Sequence, residues 1–333
     1  MSELNFRKSK IDYISTRFTN RFKFFKRGFG DREFLELIPG ILKEIEIKPI
    51  QIEWKKEKKF KNFSWKQGSF ESPFEGYLPP EAKFAHIQML LPPNYNEDTP
   101  ICIHFAMTGD QGFTMRLFAL ALPLLRDGIG SIVLEIPFYG LRKPKGQFNI
   151  FVRTVSDFFK MCGGTISEGL ALLEWIKSQG FKYKGITGIS MGGNITCFVG
   201  SLYKEKLAIV PCLPPHSPEP VFVNGMLKDS IHWKNLAKEE GDLDSAKKKL
   251  SRLMEISGLL NFPKPLSKDF AIIVAGEADA IVSPDTVLQL HNYWEGSELR
   301  WVKGGHVRSI FGKTGVFRQA IRDSFYKLKK EIK

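Results

Sequence analysis

The segment Thr187-Gly188-Ile189-Ser190-Met191-Gly192-Gly193 joins a short apolar run to an uncharged stretch that is predicted to be helical. Glycines around Ser190 remove the Cβ atoms that would collide in a tight turn from a strand into a helix. A serine hydroxyl on such a turn becomes a strong nucleophile only when a histidine, oriented by a carboxylate, takes its proton. The segment therefore makes Ser190 a candidate nucleophile, and an ordinary tight turn is the alternative.

The two other groups follow at the ends of later predicted strands. Asp279 comes after the next-to-last strand, with Glu277 beside it as the fallback acid, and His306 follows two glycines after the last strand. We predict that Ser190 is the nucleophile, that His306 is general base and then general acid, and that Asp279 fixes the imidazole tautomer. The chain order of serine, acid and histidine favours this assignment over a surface-loop histidine.

Two backbone donors should stabilise the oxyanion that develops on the substrate, each contributing about 3–4 kcal/mol. One is predicted to be the N–H group of Met191, directly after the nucleophile. The other should lie in the loop after predicted strand 101–106, where Thr108 is the first choice and Met107 the second.

Outward from this motif, apolar β runs alternate with helical segments, after a basic hairpin over 50–69. The predicted strands are 84–91, 101–106, 131–136, 185–188, 207–211, 270–275 and 299–302, and the predicted helices are 114–126, 151–179, 191–203, 284–294 and 314–330. This alternation is typical of an α/β protein with a mostly parallel sheet and helices on both faces. We expect residues 71–213 and 269–333 to form the core, 214–268 a small cap, and 1–70 a basic helix and strands packed on the core.

The net charge of +13 is concentrated at the two ends of the chain. Residues 1–30 contain 8 Lys or Arg against 2 acids, and residues 300–333 contain 10 against 2, so the remainder is close to neutral. The charge therefore says little about the reaction itself.

A basic helix is predicted at 9–27, with Ile14, Phe18, Phe22 and Phe25 on one apolar stripe. Its composition suits peripheral contact with an anionic membrane surface, and packing on the body with its charges in water is the alternative. If it lies beside the C-terminal helix, the two ends form one basic face. Nucleic acid is not expected as a partner, because no nucleic-acid-binding module accompanies these charges.

Composition excludes several classes of protein. With 43% hydrophobic residues among 333, the chain can bury a sizeable core and is neither disordered nor fibrous.

Four widely spaced cysteines indicate free thiols in a reducing compartment. No secretory signal or transmembrane helix is predicted, so we expect a cytoplasmic protein. The other five histidines show no ligand spacing, and we expect no metal or cofactor.

Substrate contacts are predicted at Met107 and in two further places. Tyr139, Arg142 and Lys143 follow predicted strand 131–136, and the two cations could meet an anionic head group unless they lie in a solvated loop. Phe222 and Met226 could line an acyl pocket unless they only pack the cap on the body.

Several further stretches accompany the motif around Ser190. They are EIPFYGLRKPK at 135–145, TGISMGG at 187–193, PCL at 211–213, GGH at 304–306, FRQAI at 317–321 and RGFG at 27–30. In these stretches the sequence resembles the α/β-hydrolases and, more narrowly, the family of α/β-hydrolase domain-containing protein eighteen, over nearly the whole chain. Residues 214–220 depart from the small-residue sequence of that family, and the segment before Phe270 lacks the long insertion of its larger members.

The resemblance implies a serine hydrolase of the lipase or esterase type with the α/β-hydrolase fold. We predict hydrolysis of a carboxylic ester through an acyl-serine intermediate, on an acyl lipid or phospholipid with an anionic head group. Thioesters and amides stay open, as does the oligomeric state. The alternative is a non-catalytic lipid-binding or scaffold protein, because many proteins share a fold without sharing a function.

Overall fold

A nine-stranded sheet organises residues 9–332, the part of the chain that the computed structural model describes. The strands are β1 (Glu53–Lys59), β2 (Ser64–Glu71), β3 (Phe84–Leu91), β4 (Ile101–Phe105), β5 (Gly130–Glu135), β6 (Lys184–Ile189), β7 (Ala208–Cys212), β8 (Ile272–Gly276) and β9 (Glu298–Val302). Their order across the sheet is β1-β2-β3-β5-β4-β6-β7-β8-β9. Strands β4 to β9 run parallel. An antiparallel extension of the sheet follows beyond β5, in which β3 pairs with β5, β2 with β3 and β1 with β2.

Helices cover both faces of this sheet. They are α1 (Lys10–Thr19), α2 (Arg32–Lys43), α3 (Thr114–Arg116), α4 (Leu122–Leu124), α5 (Val155–Ser178), α6 (Met191–Leu202), α7 (Glu219–Phe222), α8 (Trp233–Glu240), α9 (Leu243–Ile256), α10 (Pro284–Tyr293), α11 (His306–Gly312) and α12 (Thr314–Ile332). A π-helical turn at Leu117–Ala121 joins α3 to α4. This is the α/β-hydrolase fold with a mostly parallel sheet, as the sequence predicts.

Burial follows from this layering. Every residue of β4 to β8 is buried, because helices cover the central strands on both faces. One apolar cluster includes Phe159 and Leu173 of α5, and a second includes Phe317 and Phe325 of α12. The edge strand β1 is lysine-rich and mostly exposed, and such charges oppose pairing with another sheet.

The first helix differs from its prediction. It ends at Thr19, not near residue 27, and Phe24 then pairs by a β-bridge with Ile231. Phe24 and Phe25 leave the helix to enter the core, whereas Ile14 and Phe18 are 72% and 63% exposed. The predicted continuous apolar stripe is therefore wrong, because Phe24 and Phe25 lie beyond the end of the helix and pack in the core.

Helix α1 does not lie beside the end of α12, so these two helices do not form the one basic face that the sequence suggested. Near the end of α12, Lys329 donates a hydrogen bond to the carbonyl oxygen of Asp98 at 3.2 Å and lies over the ring of Tyr183 at 4.8 Å. Both partners precede parallel strands, at the amino-terminal edge of the sheet. Helix α1 lies at the opposite edge, where it contacts His306.

The segment 214–268, expected to be a cap, contains α7, α8 and α9 between β7 and β8. Phe24 packs edge-on against Phe222 of this segment at 5.6 Å, so the N-terminal region and the segment share one aromatic cluster. Among residues 9–332, no helix is long and apolar enough to cross a membrane. All four cysteines are unpaired thiols.

Candidate active site

Ser190 lies at the turn between β6 and α6 with φ 57° and ψ −117°. An L residue with such a positive φ is strained and persists only where the surrounding structure holds it. A Cβ on Gly188 would lie 2.3 Å from the carbonyl oxygen of Gly192, and a Cβ on Gly192 would lie 2.5 Å from that of Phe105. Close backbone contacts therefore require both glycines, and the predicted strand, turn and helix are confirmed.

The structure brings Ser190, His306 and Asp279 into one hydrogen-bonded chain. His306 Nε2 lies 2.9 Å from Ser190 Oγ, and His306 Nδ1 lies 2.6 Å from Asp279 Oδ2. Asp279 and His306 are buried, whereas Ser190 is half-buried and faces a cavity. In this arrangement Nε2 can accept the serine proton while Nδ1–H stays bonded to the carboxylate.

The carboxylate that bonds His306 is that of Asp279 and not that of the fallback acid, Glu277. Its second oxygen, Oδ1, accepts the N–H groups of Ile281 at 2.9 Å and Val282 at 2.8 Å. Both carboxylate oxygens are therefore engaged, which fixes the plane of the carboxylate relative to the imidazole.

The pKa of His306 is raised above its ordinary value. Burial is the largest single effect and lowers the pKa, because it disfavours the imidazolium ion. The charge and the hydrogen bond of Asp279 raise the pKa, the charge of Asp12 adds to them, and together they outweigh burial. An imidazole with a raised pKa is a stronger base toward a serine hydroxyl.

The loop after β4 lies against the start of α6. Thr108 Oγ1 is 3.7 Å from Met191 Sδ, and Met107 and Thr108 line the same cavity as Ser190. Met191 begins α6, so its N–H group belongs to the first turn, whose N–H groups have no partner within the helix. The choice of Met191 with Thr108 or Met107 as the two oxyanion donors stays a prediction.

A buried ion pair between Arg116 and Asp110 anchors the loop after β4. Arg116 Nε donates to Asp110 Oδ2 at 2.7 Å, and Arg116 Nη1 donates to the carbonyl oxygen of His104 at 3.0 Å. Burial raises the pKa of Asp110 and lowers that of Arg116, and their mutual attraction opposes both shifts. The backbone of the loop is thereby fixed before any substrate arrives.

Ser190 and His306 open into an apolar cavity of about 260 Å³. Its larger apolar walls are Met107, Phe158, Phe222, Leu227, Val282 and Ile310. Phe222, which was predicted to line an acyl pocket, therefore lines the cavity at Ser190. Met226 lines a neighbouring groove instead, together with Arg17. Within residues 9–332, no group of three or more His, Cys, Asp and Glu side chains is placed to hold a metal ion.

Arg142 does not face the cavity, contrary to the prediction of a head-group contact. Its Nη1 and Nη2 atoms donate to the two oxygens of Glu168 at 2.8 and 2.5 Å, and both side chains are 0% exposed. Ser72 Oγ donates to the same carboxylate at 2.6 Å. This pair ties the loop after β5 to α5 and encloses the guanidinium, so the assignment is wrong. Its partner lies 26 residues away, beyond the reach of a local pattern.

Tyr139 and Lys143 are not among the described residues that line the cavity. Tyr139 is buried beneath the loop after β4, where it forms a hydrogen bond with the backbone of Gly109. Burial raises the pKa of its phenol. Lys143 is half-buried outside the cavity wall. Both residues were predicted as substrate contacts, and Tyr139 instead supports the loop that carries Thr108.

One buried residue of the site was missed by the sequence analysis. Asp12 of α1 is 0% exposed, and its Oδ2 atom accepts the N–H groups of His306 at 2.8 Å and Ala280 at 3.1 Å. Ser15, Thr16 and Thr19 of the same helix line the cavity. The available signal was an acid within a strongly basic segment, and it does not reveal a partner 294 residues away.

Comparison with solved structures places the fold among esterases. An acetyl xylan esterase from Paenibacillus sp. R4 matches with a TM-score of 0.60 and 13% identity, covering 91% of this chain and 97% of that one. Acetyl xylan esterase 1 from Thermoanaerobacterium sp. JW/SL YS485 gives 0.59 and 14%, over 92% and 98%. Est1E from Butyrivibrio proteoclasticus, bound to ferulic acid, gives 0.52 and 14%, over 75% and 96%. At these identities the likeness concerns the fold.

The sequence itself matches one family model. The model is described as alpha/beta hydrolase domain containing 18, and it matches residues 22–248 and 237–327. The two matches cover most of the chain and include Ser190, Asp279 and His306. The chain therefore belongs to the alpha/beta hydrolase domain containing 18 family.

Proposed function

We propose that this protein hydrolyses a carboxylic ester through an acyl intermediate on Ser190. The observation that carries the proposal is the chain of hydrogen bonds from Ser190 through His306 to Asp279, opening into an apolar cavity. The esterase names of the fold neighbours support the choice of an ester. A bare turn motif would not require His306 and Asp279 to converge on Ser190.

The reaction proceeds in two halves. Ser190 Oγ attacks the ester carbonyl carbon while its proton passes to His306 Nε2, and the carbonyl oxygen becomes an oxyanion near Met191 and Thr108. The C–O bond of the ester then breaks, and His306 returns the proton to the departing alcohol. Water attacks the acyl-serine with His306 again as base, which releases the carboxylic acid and restores Ser190.

The substrate class follows from the walls of the cavity. Methionine, phenylalanine and aliphatic side chains surround Ser190, so the acyl part of the ester is apolar, as in a lipid. An anionic head group would meet the adjoining groove rather than Arg142. That groove is lined by Arg17 and Lys228, and it shares Thr16 and Ile281 with the cavity.

Peripheral contact with an anionic membrane fits an exposed surface that we call the apolar rim. It comprises Ile14, Phe18, Phe148 and Phe311, which are 72%, 63%, 57% and 72% exposed. Phe18 packs against Phe22, Phe22 stacks on Phe148 at 5.4 Å, and Phe311 itself lines the cavity. Cationic Arg17 and Arg21 flank the rim, as expected for a surface that meets acidic lipids.

Ester turnover tests the proposed reaction. Acid release would be measured on p-nitrophenyl esters of increasing acyl length and on phospholipids, with the wild-type protein and the Ser190→Ala variant. We expect turnover that falls by more than about 1,000-fold in Ser190→Ala. The exposed Ser178, which bonds only to Trp175 and Gln179 at the end of α5, gives the matched control Ser178→Ala with wild-type rates. Lipid binding without turnover would replace the proposal by the non-catalytic alternative.

Vesicle binding tests the membrane proposal separately. Full-length protein would be sedimented with vesicles of phosphatidylcholine alone and with vesicles containing an acidic phospholipid. We expect stronger binding to the acidic vesicles, weakening with added salt because exposed charges are screened. Equal binding to both compositions would overturn the proposed contact with anionic membranes, and it would not bear on the proposed ester hydrolysis.

A further inference from the structure

Helix α1 buries polar side chains and exposes apolar ones. Its buried residues are Asp12 and Thr16, whereas Ile11, Ile14 and Phe18 are exposed. Burying a carboxylate is costly unless strong hydrogen bonds compensate for the lost water. No lysine or arginine in the described part of the chain forms an ion pair with Asp12, so its stabilisation has to come from the groups it contacts.

Three backbone donors, one from the loop after β8 and two from the first turn of α11, meet the Asp12 carboxylate. Its Oδ2 atom accepts the N–H groups of Ala280 at 3.1 Å and His306 at 2.8 Å, and Oδ1 accepts that of Val307 at 3.0 Å. Ala280 follows Asp279 directly, while Val307 follows His306. A single carboxylate therefore joins the loop that carries Asp279 to the start of α11, which carries His306.

The packing around Gly305 is an independent sign of this arrangement. A Cβ on Gly305 would lie 2.2 Å from Cβ of Ser9 and 2.4 Å from Oδ2 of Asp12. The N–H group of Ser9 also donates to the carbonyl oxygen of Ala278 at 3.0 Å. The start of α1 thus packs directly on the loop of Asp279 and on the start of α11, and the glycine before His306 permits that approach.

Two consequences follow for the imidazole. The backbone of His306 is fixed at the distance from Asp279 that the 2.6 Å hydrogen bond requires. Asp12 also places a second negative charge near His306. Burial lowers the pKa of His306, while Asp279 first and Asp12 second raise it. The charge of Asp12 therefore favours the imidazolium that forms when Ser190 gives up its proton.

We propose that Asp12 is a positioning residue for the reaction of Ser190, and that helix α1 is thereby a working part of the catalytic centre. Asp12 touches neither substrate nor the reacting atoms; it acts by holding His306 and the loop of Asp279 together. The proposal rests on the proposed function, because it assigns Asp12 a role in the same proton transfer.

The test compares Asp12→Asn with Asp31→Asn. Asp31 caps α2, where its carboxylate accepts the N–H group of Phe34 at 3.0 Å and pairs with Lys160 at 2.6 Å, and it does not line the cavity at Ser190. The two variants therefore each remove one carboxylate that binds backbone donors. Rates of Ser190 labelling by a fluorophosphonate, ester kcat and KM, and thermal unfolding would be measured for both. Asp12→Ala serves as a second, stronger variant if the asparagine retains the hydrogen bonds.

For Asp12→Asn we expect kcat and the labelling rate to fall by about 10-fold to 100-fold, the scale of a small misplacement of a catalytic group. KM should change by less than about 2-fold, because Asp12 does not line the cavity. The ionisable groups acting on His306 are Asp279 and Asp12, so loss of one charge lowers its pKa and moves the acid limb of kcat/KM to lower pH. Asp31→Asn should lower only thermal stability.

Wild-type kcat and an unshifted acid limb in both Asp12 variants would overturn the proposal. A loss of rate fully accounted for by the unfolded fraction, with the same rate per labelled protein, would overturn it as well. An unreactive Ser190 in the wild-type protein would remove the proposed function instead. The pKa of His306, measured by NMR in wild type and Asp12→Asn, still separates the two outcomes, because a fall in that pKa supports the link between α1 and the imidazole.

Discussion

The two amphipathic helices nearest the ends of the chain bury opposite faces: α12 buries its apolar side chains, and α1 buries polar ones. Helix α12 buries the apolar stripe Phe317, Ala320, Ile321, Phe325 and Leu328, with most of its charges outward. Helix α1 buries Asp12 and Thr16 and turns Ile14 and Phe18 to the surface. Helix α12 therefore stabilises the sheet through apolar burial. Helix α1 contributes little apolar burial and instead contacts the residues around Ser190.

Removing apolar contact from α12 should have the largest effect. Phe325 packs where a Cβ on Gly185 would lie 2.4 Å from its ring, so Phe325→Ala leaves a cavity in a dense core. We expect a loss of about 3–5 kcal/mol in the free energy of unfolding, measured by urea denaturation. The labelling rate of Ser190 per folded molecule should stay at the wild-type value. A slower reaction at unchanged stability would contradict the division of roles.

The second largest effect is expected in the pH dependence of turnover, because Asp12 of α1 acts on the pKa of His306. Asp279 and Asp12 raise the pKa of His306 despite the opposing effect of burial, and only the neutral imidazole can take the serine proton. As pH falls through this raised pKa, kcat/KM should fall by about tenfold for each pH unit. The midpoint should lie above the ordinary value of 6.5, and Phe325→Ala should leave it there. A midpoint below 6.5 would contradict the assigned electrostatics.

A smaller effect is expected from the exposed apolar residues of the two helices. Phe18 of α1 and Tyr326 of α12 are 63% and 60% exposed, which makes them a matched pair. We expect Phe18→Ser to weaken binding to acidic vesicles by about tenfold, the scale of exposing one aromatic side chain. Tyr326→Ser should change that binding by less than about twofold. Equal losses in both variants would mean that the apolar rim is not the contacting surface.

The smallest effects concern charge. Replacing either Arg17 or Arg21 singly by glutamine should weaken binding to acidic vesicles by about fivefold. The same replacement at Lys329 and Lys330 should change it by less than about twofold, because the end of α12 lies at the far edge of the sheet. A sedimentation series in salt checks both, and a strong loss from the α12 variants would restore the idea of one basic face.

Most of the fold could be predicted because its signals are local. A buried parallel strand reads as an apolar run, and the turn at Ser190 reads as glycines around a serine, so each needs only a few neighbouring residues. The convergence of Asp279 and His306 on Ser190 was predictable because parallel strands end at a common edge. These expectations required no knowledge of distant side-chain partners.

The remaining features depend on contacts that no local pattern contains. Arg142 looked like a head-group ligand because its partner Glu168 lies on another element. Asp12 looked like an isolated acid because its partners lie at the other end of the chain. For Ile14 and Phe18 the pattern left open a membrane-facing or an inward-packed stripe, and the structure exposes both side chains because the inner face of α1 contacts the site.

The central claim is that Ser190 is an activated nucleophile, and covalent labelling tests it most directly. Full-length protein, shown to be folded by circular dichroism, would be treated with a fluorophosphonate and examined by intact mass and peptide mapping. The account predicts one adduct per molecule, located on Ser190, lost in Ser190→Ala and retained in Ser178→Ala. A folded wild-type protein that stays unmodified, or that carries its adduct on another residue, would contradict it.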